Sequence, residues 1–304
     1  MNNKKLKKGL CKKKKMVYNK KAPCSSKNKI SCRRQVERRT RIRRVDKMGK
    51  IIAVSNQKGG VGKSTTVVNL AAVFGARGEK VLIVDFDPQG NTTTSLGISK
   101  KSIRSTIYDV LLGDCELQEA VAASAFRGVS VVPTTQDLAS ASVQLLTMEN
   151  RAMRLRECIK DAADFYDHIF IDCPPTLDML TINALVAADS VIIPIQCEFL
   201  SLEGLVELHQ TIKRVRETWN SELEVEGILF TMCVARYKLT EQIMKEVKKH
   251  FPSETFNTVI PRNIAISEAP SFGEPVIYYE KKSKGAKAYE ELAKEMIKRS
   301  KKKK

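Results

Sequence analysis

From residue 51 onward the apolar positions fall in short runs that stay apolar along the chain instead of alternating with polar residues. Ile51–Ser55, Val81–Asp85, Val129–Val132, His168–Asp172, Ser190–Pro194, Val225–Met232 and Phe256–Ile260 are such runs, rich in β-branched side chains, and each predicts a strand. The segments near 63–77, 105–112, 148–166, 178–188, 201–218, 240–250 and 285–299 have helical spacing. Strands apolar on both faces and separated by helices predict a doubly wound α/β fold, with a mostly parallel sheet covered on both sides. The ligand then belongs in the loops at the carboxyl ends of the strands.

Charge changes the picture at the ends only. The 304-residue chain has a formal net charge of +19, and residues 1–47 hold 13 Lys and 7 Arg against Glu37 and Asp46, or +18 of it. That stretch has few large apolar residues and repels itself, which predicts a disordered basic tail, read equally as a sequence-independent DNA-binding arm or as an extension from an over-long start-codon choice. Three parts follow: the tail 1–47, a body 48–297, and a second basic tail 298–304. No apolar run is long enough to cross a bilayer and no apolar h-region follows the basic start, so a soluble cytoplasmic chain is expected. The eight cysteines form no C-x-x-C pair. Cys158, Cys173, Cys197 and Cys233 fall in apolar or helical stretches and are expected to be buried, reduced thiols.

The chemistry begins after the first strand. Gln57-Lys58-Gly59-Gly60-Val61-Gly62-Lys63-Ser64-Thr65 leads directly into a helix starting Thr66-Val67-Val68. Glycines let backbone N–H groups wrap phosphates, and the helix N-terminus adds favourable partial charge. Lys63 is placed to reach the β- and γ-phosphates, and the Ser64 hydroxyl to ligate Mg²⁺. A dinucleotide loop is excluded, because Thr65 stands where its third glycine belongs. The fold is therefore of the P-loop NTPase type. Two strands end in acid: Val84-Asp85-Phe86-Asp87-Pro88 and Ile171-Asp172-Cys173-Pro174-Pro175. The latter resembles a Walker B strand, with Asp172 holding a water on Mg²⁺.

Gln57 replaces the first glycine of the ordinary phosphate loop, and Lys58 follows it. This K-G-G-x-G-K-[ST] variant resembles the deviant Walker A motif of the ParA/MinD ATPases. The likeness covers about residues 48–297. It includes Ile193-Pro-Ile-Gln-Cys-Glu198, Leu202-Glu-Gly-Leu205 and Val259-Ile-Pro-Arg-Asn-Ile-Ala-Ile-Ser-Glu-Ala-Pro-Ser-Phe-Gly-Glu-Pro-Val276, which are most similar to the ParA/Soj branch. The resemblance implies a slow ATPase that closes as a homodimer around two ATP molecules. It gives Lys58 a role across the dimer interface on the partner's nucleotide. Asp87 would orient the attacking water and Asp85 support the metal shell. Thr231, Met232, Pro261 and Arg262 would lie near the adenine. It further implies non-specific binding of double-stranded DNA in the ATP state, a ParB-type partner that stimulates hydrolysis, and association with the nucleoid.

For the DNA face, the resemblance points to Arg236 and Arg262. Helical spacing independently places Lys245, Lys248 and Lys249 on one side of a helix, with Ile243, Val247 and Phe251 on the other. The chain departs from the family's usual residues at Val234, Tyr237 and Ala265. The alternative reading is MinD-like membrane cycling, which requires a terminal helix with exposed bulky apolar residues. Tyr289, Leu292, Ala293, Met296 and Ile297 do form a stripe, expected to be core packing of the last helix.

Overall fold

The apolar runs assemble into one seven-stranded sheet in the order β3-β4-β2-β5-β1-β6-β7. The strands are β1 Lys50–Val54, β2 Val81–Asp85, β3 Ala122–Ala123, β4 Val129–Val132, β5 His168–Asp172, β6 Ser190–Gln196 and β7 Glu224–Thr231. Every pairing is parallel except that of the two-residue edge strand β3 with β4. This is a computed structural model, and it describes residues 48–198, 201–234 and 236–302, all within the unit Met48–Lys304. The disorder expected of residues 1–47 lies outside the described residues.

The helices are α1 Lys63–Ala76, α2 Asn91–Ser95, α3 Ile107–Leu112, α4 Leu117–Ala120, α5 Leu138–Leu145, α6 Arg154–Ile159, α7 Met179–Ala187 and α8 Ser201–Thr218, then α9 Lys238–His250, α10 Ile264–Glu268, α11 Val276–Tyr279 and α12 Lys284–Lys302. Because side chains alternate across a strand, each strand feeds two cores. Ile51 and Ala53 of β1, Leu82 and Val84 of β2, and Ile169 and Ile171 of β5 pack with α3 and α5–α9. Ile52 and Val54, Val81 and Ile83, and Phe170 pack on the opposite face with α1 and α12. Both neighbours being apolar explains why these runs do not alternate.

Helix α12 lies against α1. Its stripe Tyr289, Leu292, Ala293 and Met296 is buried, and Ile297 packs beside it, so the stripe is core as expected. Among the described residues no helix is long and apolar enough to cross a membrane.

Two expectations need correction. Phe256–Ile260 forms no strand. Its ends touch β7, with the Phe256 N–H donating to Ile228 O and the Ile260 N–H to Phe230 O. In between, the Glu295 carboxylate of α12 takes the N–H groups of Asn257 and Thr258, both at 2.8 Å, and draws the segment off the ladder. The helix expected over 148–166 is also interrupted. Asn150 is left-handed (φ 55). The buried Asn183 side chain of α7 binds Arg151 O and Leu155 N, so the regular helix starts only at Arg154.

Candidate functional site

The site lies at the carboxyl ends of β1, β2, β5, β6 and β7, where β1 sits between β5 and β6. The loop after β1 turns sharply: Gly60 and Gly62 have φ of 73° and 90°, which favours glycine. Gly62 is the N-cap of α1 and no side chain caps that helix. The first helical bond runs from Thr66 N to Gly62 O, leaving the N–H groups of Lys63, Ser64 and Thr65 at a free helix N-terminus.

Lys63 is buried, and its ammonium donates to Lys58 O at 3.2 Å. Burial pulls its pKa below the usual lysine value, against the opposing pull of Asp172, Cys173 and Asp87. Lys58 anchors its own backbone by donating its N–H to Asn56 Oδ1 at 2.8 Å, and Asn56 in turn donates to Pro194 O. The Lys58 ammonium extends outward and pairs with Glu198. Gln57, standing in place of a glycine, reaches Glu207 and packs on Gly204 of α8.

The acidic side of the site is built by β2 and β5. Asp85 and Asp172 are register partners on these strands, and both are fully buried. Thr93 holds one oxygen of Asp85 through its N–H at 2.7 Å and its hydroxyl at 2.6 Å. Thr92 donates to one oxygen of Asp172 at 2.7 Å. The other oxygen of each carboxylate has no hydrogen-bond partner. Burial raises both pKa values; Asp172 raises that of Asp85 further, whereas Ser64 and Thr92 hold that of Asp172 down. Asp87, also buried, accepts from Gln89 N at 3.0 Å and lies close enough to raise both neighbours.

These residues suit a magnesium ion. No group of three or more His, Cys, Asp or Glu arranged to hold a metal ion by itself is present among the described residues. Mg²⁺ characteristically takes one or two carboxylates and completes its shell with water and substrate phosphates. Two bare carboxylate oxygens beside Ser64, beneath a free helix N-terminus, meet that requirement.

The remaining walls come from β6 and β7. The Thr231 hydroxyl lies 2.8 Å from Val61 O and 3.1 Å from Ile195 O, tying the phosphate loop to both strands. Gln196 donates to Gly60 O at 2.9 Å. Met232 is left-handed (φ 53) and, with Thr231, faces Gly62. Cys233 bridges to Pro261, and the Arg262 N–H donates to Cys233 O at 3.1 Å, bringing the Pro261–Arg262 segment alongside. The structure thus gathers Lys58–Thr65, Asp85, Asp87, Asp172, Thr231, Met232, Pro261 and Arg262 at one end of the sheet, around the phosphate loop.

The basic residues are placed differently. Arg236 and Arg262 are exposed at the same end of the sheet. On α9, Ile243 and Val247 are buried and Phe251 half-buried, while the lysines point outward. Lys245 pairs with Glu241 at 2.7 Å and Lys249 with Glu246 at 3.9 Å.

Thr92, Thr93, Gln196 and Glu198 are contacts that sequence reasoning did not assign. Gln196 and Glu198 fall in a segment matched to the family, yet only the fold shows that they meet Gly60 and Lys58. The cysteines also differ from expectation in part. Cys173 and Cys233 are buried, but Cys158 and Cys197 are half-buried.

A family model described as an AAA domain matches residues 49–225. The chain is 48% identical over 249 residues to the sporulation initiation inhibitor protein Soj of Bacillus subtilis, covering 82% of this chain and 98% of that protein. It is 48% identical over 252 residues to the chromosome partitioning protein ParA of Myxococcus xanthus, covering 83% and 89%. Among solved structures it is similar to cobyrinic acid a,c-diamide synthase from Mycobacterium smegmatis with bound ADP and magnesium, with a TM-score of 0.75, 34% identity, and coverage of 84% of this chain and 97% of that one.

Proposed function

This chain belongs to the ParA/Soj-type partition ATPases of the ParA/MinD superfamily, and on that premise we propose that it is a Mg-ATP-dependent dimerisation switch that segregates DNA. The observation that carries the nucleotide half is the pair of bare oxygens on Asp85 and Asp172 below the uncapped N-terminus of α1. The glycine turn and the N–H groups of residues 63–65 cradle phosphate, and Lys63 supplies the buried positive charge. Ser64, Asp172 and Asp85 would hold the metal, the carboxylates partly through water. Bound magnesium would supply charge neutralisation on the phosphate oxygens as the phosphoryl group transfers. Asp87 orients the attacking water. The Thr231–Met232 and Pro261–Arg262 segments flank the base.

The second half of the proposal is the switch. Lys58 pairs with Glu198 of its own subunit here, at the protein surface. Exposed pairs contribute little, about 0–1 kcal/mol, so Lys58 is free to exchange that partner for a nucleotide bound to a second copy. In the closed homodimer, Arg236, Arg262, Lys245, Lys248 and Lys249 would form the non-specific face for double-stranded DNA. The ion pairs of Lys245 and Lys249 are exposed and as readily exchanged for phosphates. Hydrolysis would be slow and stimulated by a ParB-type partner, and the nucleoid would be the place of action. The body 48–297 carries the ATPase, and the basic segment 1–47 adds salt-sensitive DNA affinity. Burial of the α12 stripe against α1 counts against the membrane-cycling alternative.

Light scattering with saturating Mg-ATP tests the switch. An Asp87→Ala variant that binds ATP without hydrolysing it should double its mass. A monomer with ATP tightly bound contradicts the proposal.

A further inference from the structure

Cys197 follows directly on the end of β6, Cys233 lies two residues beyond the end of β7, and their Sγ atoms lie 3.3 Å apart. A disulfide requires about 2.05 Å between sulfurs and a Cα separation of about 4.4–6.8 Å. The register pairs Gln196 with Thr231, so the two cysteines stand one position apart on neighbouring chains. Strands about 4.8 Å apart with a rise of about 3.3 Å per residue give a diagonal of about 6 Å, inside that window. Side-chain rotation of roughly an ångström therefore suffices to join them. Among the described cysteines, this is the pair whose sulfurs touch.

The two thiols are unequal. Cys197 is half-buried and reachable from solvent, whereas Cys233 is buried with its sulfur 3.6 Å from Thr231 O. The hydrogen bond between them holds the Cys197 thiol below its ordinary pKa and pushes that of Cys233 up, so Cys197 carries the nucleophilic thiolate.

Their neighbours make the position consequential. Gln196 binds Gly60 O and Thr231 binds Val61 O. Glu198 pairs with Lys58, and Cys233 O accepts from Arg262 N. The residues flanking each cysteine thus hold the phosphate loop or the Pro261–Arg262 segment.

We infer that Cys197 and Cys233 form a redox modification site, in which a disulfide between them disturbs the neighbouring Gln196 and Thr231 bonds to the phosphate loop and weakens nucleotide binding. The oxidant is a small-molecule disulfide such as oxidised glutathione. The Cys197 thiolate attacks one of its sulfurs, forming a mixed disulfide and releasing one thiolate. Cys233, giving up its proton, then attacks Cys197 Sγ and releases the second thiolate. The protein pair loses two electrons and two protons, and the small disulfide gains them as two thiols. The consequence for binding rests on the nucleotide reading above; formation of the bond does not.

The test equilibrates the full-length protein in glutathione buffers from fully reduced to fully oxidised. Peptide mass spectrometry reads the cross-link, and titration with a fluorescent ATP analogue and Mg²⁺ reads affinity. Oxidised protein should yield a peptide linked through Cys197 and Cys233 and bind the analogue roughly fivefold more weakly, the worth of one loop hydrogen bond. A dithiol reductant should restore affinity, and Cys197→Ser should bind equally in both buffers. Absence of the linked peptide at every glutathione ratio overturns the site. A linked peptide with unchanged affinity, or equal oxidative loss in Cys197→Ser, overturns the control of binding. Reduced wild-type protein that binds no analogue instead overturns the nucleotide reading, and the linked peptide then judges the site alone.

Discussion

Asp85 and Asp172 are aligned side by side on β2 and β5, and each keeps one buried carboxylate oxygen with no hydrogen-bond partner. Two like charges so placed destabilise the metal-free fold, and a divalent cation relieves them.

The first prediction follows from the raised pKa values of this pair. The folded protein keeps protons there that the unfolded chain has already lost. Stability is then fully present below the ordinary carboxylate value near pH 4, and declines as pH rises through the raised folded values. Without metal, Asp85→Asn should resist urea better than wild type at pH 8 by on the order of 1–3 kcal/mol, with the gap closing toward pH 4. Mg-ATP should stabilise wild type more than the variant. A gap independent of pH contradicts the account.

Lys63 is the one buried cation reaching the loop among the described residues, and in the proposed function its loss would remove charge-assisted bonds to phosphate. Lys63→Ala should weaken ATP binding about 10- to 100-fold, taking roughly 1.5–3 kcal/mol for such bonds. Isothermal titration checks this, and unchanged affinity sinks the assignment.

Much of this site was readable before any fold was known. Gly60, Gly62, Lys63 and Ser64 lie within five residues of one another, and their spacing alone implies phosphate wrapping. Asp85, Asp87 and Asp172 end apolar runs, so their side chains had to emerge at one edge of a parallel sheet. The strand order was not readable, because apolar runs alike on both faces carry no register of neighbours. Gln196, Thr231 and Glu198 meet the loop only because β6 lies beside β1. Phe256–Ile260 reads as a strand because its composition is β-rich, and composition cannot show that Glu295 captures two of its N–H groups.

Thr231 tests whether that wall matters. Its hydroxyl is buried between Val61 O and Ile195 O. Thr231→Val keeps the shape and removes the single hydroxyl proton those carbonyls share, which should cost about 1–3 kcal/mol in urea unfolding. ATP affinity should fall with it, since Val61 belongs to the loop. A variant as stable as wild type contradicts the tie.

The last helix separates core packing from a membrane role. Leu292 is fully buried, so Leu292→Ala should destabilise by about 2–5 kcal/mol. A membrane-facing leucine would leave folding within about 0.5 kcal/mol of wild type. Urea unfolding decides between them.

The central claim, that ATP gates DNA binding by this fold, is tested most directly by co-sedimentation with non-specific double-stranded DNA. The full-length chain and a chain begun at Met48 are each compared with ATP and ADP, with liposomes as a parallel arm. The account predicts that the shorter chain is retained on DNA with Mg-ATP, released with ADP, and held longest as Asp87→Ala. Retention confined to the full-length chain and indifferent to nucleotide, or retention on liposomes in place of DNA, would contradict it.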